Sequence, residues 1–435
     1  MLSSFLSKAS VLLLCVAGLS TASNQNLTPS RFTSSPIKNH YIVQYRDGVD
    51  YDARYSHETQ VRAAAGKFGK YRGVIKSFNI GHFSGYHGEF DAAHVKRLNH
   101  SGLIKSIEND ATIHISSVIP LMPHQVRGIN SLANNNIVRA GGATWGQARL
   151  SHRLPGSGAD YIYEHGGSTV YVVDSGIKLS HHEFGDGTGA SGRVTWGANF
   201  INNVTGDQHG HGTHVAGTVG GLTYGISPKS RLVALKVIDG NGYGTWSGVA
   251  AAIQWACDDT AARNASGLSV INMSIGGPGK SQFIYDAISG AVAKSGITVV
   301  AAAGNWDGVV NDGSVTPAGC GDVIAVGAID GNDTRSSYSN WGPGVTVFAP
   351  GDGIRSAWFE GDDYASGEMS GTSMASPHVA GLAAYFMELY GKLTPADVKQ
   401  RILAVGTRDK VKDAGDGSPN LIAYNGNPVE FTQTV

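Results

Sequence analysis

Charge is scarce in this chain. Only 15% of its 435 residues are Asp, Glu, Lys or Arg, and 33 basic against 34 acidic side chains leave a formal net charge of −1. That balance implies no face for nucleic acid or an anionic membrane. Long apolar runs are missing after Leu19, so nothing later in the sequence is expected to span a bilayer. Cysteine is rare, with three residues. Glycine breaks the pattern, with 60 residues in no fixed period. That excludes collagen and low-complexity repeats and points to turns and close backbone contacts. The length allows two domains and a sizeable core.

The N-terminus carries the one apolar run. Lys8 precedes Val11 to Leu19, and Ser20-Thr21-Ala22-Ser23 closes it. Residues 1–22 therefore read as a secretory signal, too short in its apolar part to be a membrane helix. The expectation is a secreted, soluble, monomeric protein. Loss of the signal removes Cys15 and leaves Cys257 and Cys320. An oxidising exterior permits them to pair, but spacing alone does not decide it. Sequons at Asn99, Asn203, Asn264 and Asn332 are candidate glycosylation sites, while the one at Asn272 falls within an apolar strand pattern and is expected to stay bare.

From about residue 38 to 114 the pattern runs strand, helix, strand, strand, helix, strand. The pieces are His40–Tyr45, 51–70, 73–80, 83–90, a helix capped by Asp91, and 103–108. That is the order of a small ferredoxin-like α+β unit. Residues 118–142 then read as a linker, with Pro120, Pro123, Asn134-Asn135-Asn136 and Gly141-Gly142. From 143 to 427 apolar runs alternate with helical patterns, and 428–435 form a short tail. The runs at 169–173, 232–238, 268–273, 297–303 and 322–329 suit strands of a parallel sheet with helices on both faces. In open sheets of this kind ligands sit beyond the carboxyl ends of the strands. Asp174, Ser274 to Gly277 and Asn305 fall at such ends.

The stretch Gly371-Thr372-Ser373-Met374-Ala375-Ser376-Pro377-His378 opens an apolar stripe at helical spacing through Val379, Leu382, Ala383 and Phe386. Proline belongs in a helix's first turn, so the helix is expected to begin near Ser373. A serine there lies among free backbone N–H groups, where an oxyanion could be stabilised. Taken alone, Ser373 is better read as an N-cap, as most serines before helices are. The second notable stretch is Asp207-Gln208-His209-Gly210-His211-Gly212-Thr213-His214. Its histidines are not spaced i, i+4 around a glutamate, as a zinc helix requires, so the metal reading is disfavoured. Nucleophilic hydrolysis needs a hydroxyl, an imidazole and a carboxylate, and Ser373, His211 and Asp174 can supply them.

The chain order Asp174, His211, Ser373 is that of the subtilisins. The segments Val172-Val173-Asp174-Ser175-Gly176, His211-Gly212-Thr213-His214-Val215-Ala216-Gly217 and Gly371-Thr372-Ser373-Met374-Ala375-Ser376-Pro377 resemble the three signature segments of the subtilisin-like serine proteases. Trp145 to Ser151 and Asn420 to Asn425 resemble the two ends of the proteinase K branch. Residues 23–117 resemble that family's inhibitory propeptide. The resemblance implies a subtilisin-like parallel sheet, a secreted serine endopeptidase, and a zymogen that cleaves itself within the linker. It implies Ser373 as nucleophile, His211 as general base and acid, and Asp174 as orienter. It implies an oxyanion hole from the Ser373 N–H and the Asn305 side chain, otherwise a turn residue. Substrate would lie extended between Gly242-Tyr243-Gly244 and Ser274-Ile275-Gly276, with Trp246 as an aromatic wall. The pocket nearest the cut, formed with Ala302, Ala303 and Gly304, carries no charge and is expected to accept large apolar or aromatic side chains. The partners implied are protein substrates and the chain's own propeptide.

This sequence departs from proteinase K in places. Val215 stands where that branch has a cysteine, and Thr346 where its strong calcium site takes an aspartate. No cofactor is implied for catalysis. A weaker structural calcium at carbonyls near Gly321 and Val323 remains an expectation. The cysteines do not match that relative's disulfides, and both are expected unpaired. Two other readings compete. One is a catalytically silent scaffold used for binding, though every part of the site is present. The other is an esterase of the α/β-hydrolase type, which wants Gly-x-Ser-x-Gly, whereas Ser373 lies in Gly371-Thr372-Ser373-Met374-Ala375.

Overall fold

The computed structural model describes residues 34–68, 71–115, 130–134, 137–164, 168–185, 192–427 and 429. The signal-like segment, most of the linker and nearly all of the C-terminal tail lie outside the described residues.

The N-terminal module has the expected element order. Strand β1 (Pro36–Tyr45) leads to α1 (Tyr51–Phe68), β2 (Gly73–Ile80), β3 (Phe83–Glu89), α2 (Ala92–Asn99) and β4 (Ile104–His114). The strands pair antiparallel in the order β4-β1-β3-β2. Asp91 caps α2 by accepting from the His94 N–H at 2.7 Å, as a side-chain oxygen at N-cap should. Alternate side chains of β1 part company: Val43 and Tyr45 pack under the module's own helices with Val61 and Leu98. Ile42 faces the other way and joins the main domain's core, as do Phe78, Ile80 and Phe83. A sheet with both faces apolar needs a second layer to cover the outer one, and the main domain supplies it.

The stretch read as linker is partly structured. β5 (Asn130–Asn134) and β6 (Ile137–Gly141) form a hairpin, and β6 pairs with β7 (Asp160–Glu164). Between them α3 (Trp145–Ser151) starts in a capping box of Thr144 and Gln147.

A nine-stranded sheet follows, parallel except for one edge pair. It is built from β8 (Thr169–Asp174), β9 (Val194–Asn199), β10 (Arg231–Lys236), β12 (Ser269–Met273), β14 (Thr298–Ala302), β16 (Val323–Ile329), β17 (Val347–Pro350), β20 (Thr407–Arg408) and β21 (Leu421–Ile422). Short strands β11 (Tyr243–Thr245), β13 (Gly277–Pro278), β15 (Val315–Thr316), β18 (Ile354–Ala357) and β19 (Ser366–Met369) lie in the connections. The helices are α4 (His211–Gly220), α5 (Trp246–Ala262), α6 (Gln282–Ser295), α7 (Thr372–Tyr390) and α8 (Pro395–Val405). Strand periodicity sorts them onto two faces. Val170 and Val172 of β8 pack with α4, α7 and α8, while Tyr171 and Val173 pack with α5 and α6. Cys257 and Cys320 are free thiols, both buried, in the latter layer.

Candidate active site

The carboxyl ends of β8, β12 and β14 and the start of α7 bring the sequence's candidates to one rim. At the end of β8, Asp174 Oδ1 lies 2.8 Å from His211 Nδ1, and both side chains are fully buried. The same Oδ1 accepts from the Ser175 N–H at 2.8 Å, while Oδ2 has no partner among the described residues. His211 is the first residue of α4, after Gly210 at φ +95°. Only glycine takes that conformation without strain. Asp207 supplies the cap that Gly210 cannot. Its Oδ1 accepts from the N–H groups of His209 and Gly210, both at 2.9 Å, and its Oδ2 from the Thr213 N–H at 2.9 Å. The imidazole is thus held by its helix and by its Nδ1 partner, and its Nε2 is buried without a hydrogen-bond partner.

Lys236, wholly buried at the end of β10, donates to the carbonyls of Ser175 at 2.5 Å and Ile238 at 2.9 Å. Burial pushes its ammonium down, and Asp207 and Asp174 push it back up. The other two histidines of the cluster have different surroundings. His214 Nε2 lies 2.8 Å from the Ile354 carbonyl, and His209 stands beside Gly242. Among the described residues no group of His, Cys, Asp or Glu is placed to hold a metal ion.

Ser373 is the second residue of α7, so the helix boundary agrees with the sequence expectation; the place of Pro377 does not. It lies inside the helix, past the first turn. Proline lacks the N–H that would bond the carbonyl four residues earlier, which belongs to Ser373. Ser274 replaces that donor: its hydroxyl donates to the Ser373 carbonyl at 2.7 Å, and the Ser373 hydroxyl donates to the Ser274 carbonyl at 3.0 Å. Asn305 is oriented by a residue that sequence reasoning passed over. Thr372 donates to Asn305 Oδ1 from its N–H at 2.8 Å and from its hydroxyl at 2.7 Å. The donor end of the amide is then Nδ2, the end an oxyanion needs.

The cleft at Ser373 is lined by Ser274, Ile275 and Gly276, which follow β12, and by Ala302, Gly304 and Asn305 at the end of β14. Ala303, just past the end of β14, is buried beneath with Val310, Ala325 and Phe348. Trp306, absent from the sequence expectation, lines the cleft instead. A Cβ on Gly304, at φ +107°, would meet the Trp306 ring at 2.6 Å, so glycine is required beneath it. Trp246 is buried in one cluster with Ile113 and Ile115.

The cleft is occupied by the chain itself. β4 pairs antiparallel with β11, Tyr243 opposite His114 and Gly244 opposite Ile113, and the Ile115 N–H donates to the Gly242 carbonyl at 3.0 Å. His114 reaches the Ser373 cleft. Two carboxylates of β4 meet helix N-termini of the main domain, where N–H groups lack partners. Asp110 accepts from the Ser247 N–H at 3.1 Å and hydroxyl at 2.6 Å, at the start of α5. Glu108 accepts from the Phe283 N–H at 3.0 Å and the Ser281 hydroxyl at 3.2 Å, at the start of α6.

Comparison with known families bears on this arrangement. Residues 165–420 match the model of the subtilase family, and residues 40–116 match the peptidase inhibitor I9 model. The chain belongs to the subtilase family. Among its relatives, subtilisin-like protease 2 of Pseudogymnoascus destructans is 42% identical over 401 residues, covering 90% of each chain. A cuticle-degrading serine protease of Arthrobotrys oligospora is 36% identical over 434 residues, covering 95% of this chain and 98% of that protein. The crystal structure of a cold-adapted subtilisin-like serine proteinase superposes with a TM-score of 0.59 at 38% identity, covering 65% of this chain and 98% of that one. This subtilase is therefore a subtilisin-like serine protease carrying an inhibitor-type propeptide, and the family needs no cofactor for catalysis.

The calcium expected near Gly321 and Val323 does not fit this subtilase. Both carbonyls accept from the ammonium of Lys399, at 3.2 and 3.3 Å. Thr346 offers no carboxylate, and its hydroxyl accepts from the Ala325 N–H at 3.2 Å. Asn99, Asn203, Asn264 and Asn332 are exposed, whereas Asn272 is buried and accepts from the Ser376 hydroxyl at 2.8 Å. Among the described residues no helix is long and apolar enough to cross a membrane.

Proposed function

We propose that this subtilase is a secreted, self-processing endopeptidase that cuts proteins through an acyl-enzyme on Ser373. The Asp174–His211 contact, with the outer imidazole nitrogen buried and unpartnered, carries the reading. The Ser373 hydroxyl turns from the Ser274 carbonyl toward His211 Nε2, which takes its proton as Oγ attacks the scissile carbonyl. Asp174 holds the tautomer and stabilises the imidazolium. The developing oxyanion is met by the Ser373 N–H and Asn305 Nδ2, and the proton passes from His211 to the leaving amine. Water then repeats the sequence and frees the acid. Substrate takes the place of β4, adding a strand to Gly242–Gly244. The side chain before the cut enters the uncharged cleft by Ile275, Ala302 and Trp306, which favours large apolar or aromatic residues. Residues 40–116 act as the intramolecular inhibitor, and self-cleavage falls within residues 118–142. Of the four exposed asparagines, Asn203, Asn264 and Asn332 carry glycans on the mature protein, and Asn99 on the precursor alone.

The test is Ser373→Ala in the full chain. It is expected to accumulate uncut and to leave casein intact. Maturation of that variant at the normal rate, with no protease added, would overturn self-cleavage. Casein and a simple ester assayed side by side on the wild type separate peptidase from esterase.

A further inference from the structure

We propose that the side-chain ammonium of Lys399 is a built-in cation, standing where the family resemblance implies a divalent ion and holding the start of β16 to α8 without calcium. The two carbonyls point at one place, as a cation site requires, and what lies there is Lys399 Nζ, at N–H···O rather than metal–oxygen lengths. Calcium takes six to eight oxygens. Here the third expected ligand is a threonine whose hydroxyl is engaged with the Ala325 N–H. Asp322, between the two carbonyl-bearing residues, attracts the ammonium and offsets part of the cost of its burial. Lys399 reaches this place because α8 begins at Pro395, capped by Thr394 and Asp397, and turns Val398 and Ile402 into the core. The neighbouring position 399 is then directed at the mouth of β16. The contact spans elements far apart in sequence, as a structural ion would, and the lysine needs no supply of metal.

A groove of about 440 Å³ beside the site is bounded by Gly321, Val323, Thr346 and Lys399, among others. A hydrated ion could therefore reach the carbonyls once the ammonium is removed and a carboxylate restored. The experiment uses the full chain with Ser373→Ala, so that self-digestion does not confuse melting, and compares Tm with excess calcium and with chelator. Lys399→Met keeps the apolar stem and removes the charge; it is expected to lower Tm by about 3 °C. Thr346→Asp combined with Lys399→Ala is expected to gain a calcium-dependent rise of at least that size, beyond any the parent shows. If Lys399→Met melts with the parent, or the parent's calcium increment equals that of the double variant, Lys399 is not the site's cation. Because melting is the readout, failure here leaves the catalytic assignment untouched, and failure of that assignment leaves this one standing.

Discussion

At Ser373 a single proline decides which groups are free to act. Pro377 removes the helical N–H that would have bonded the Ser373 carbonyl, and Ser274 fills the gap from the floor of the cleft. The sequence made Ser373 and His211 visible through their neighbours, but not Thr372, whose two bonds to Asn305 depend on chain folding that brings residues 67 positions apart into contact. Asn305→Leu removes the amide proposed to donate to the oxyanion. It is expected to lower kcat by ~10²–10³ with KM little changed, a figure taken from removal of an oxyanion-hole asparagine in a subtilisin rather than derived from this structure. Equal loss in binding and turnover would point to a structural role instead.

Two other buried residues set a pH dependence of stability. Burial pushes His214 down to about 3, despite its bond to the Ile354 carbonyl, and His378 down to about 4, despite its bond to the Met374 carbonyl. Both lie below the ordinary 6.5, so the unfolded chain binds more protons than the folded one between those limits. Stability is therefore fully present above about pH 6.5 and is lost as pH falls toward 4 and then 3, by at most ~1.4 kcal/mol per unit for each residue. Melting of the Ser373→Ala chain across that range should show it. His378→Gln should flatten the slope above pH 4, whatever its effect on absolute stability; an unchanged slope would clear His378.

Among the elements, β4 does the most. It closes the module's sheet, fills the strand position beside β11 and places Glu108 and Asp110 at the starts of α6 and α5. Replacing both with alanine strips acceptors from N–H groups that then have none. Each charge-assisted bond is worth roughly 1.5–3 kcal/mol, so the processed propeptide should inhibit the mature enzyme at least tenfold less well, read as its inhibition constant. An unchanged constant would mean that the strand pairing alone holds it.

The sequence revealed that a strand ended near residue 108 but not that it ran on to His114, since the extra residues pair with β11 of the other domain. The hairpin β5–β6 was missed for the same reason. Asn130 to Asn134 has no apolar alternation, and its partners continue through β6 to β7. Asp91, by contrast, caps its helix where the local pattern put it, because a cap is a contact within one turn.

Among the described residues, layers of helix, sheet, helix, sheet and helix put the propeptide on the face formed by α5 and α6, away from α4 and α7. The parallel core was legible because strands buried on both faces read as continuous apolar runs. The long-range arrangement at its rim was not, except through the three segments that resemble the family. Peptide mapping after treating the activated enzyme with a phosphonylating serine reagent tests the central claim most directly. The expected result is one label, on Ser373, rising in step with the loss of casein hydrolysis, and no labelling of His211→Ala at a comparable rate. Full casein hydrolysis by enzyme labelled at Ser373, or a label at another serine with activity lost, would contradict it.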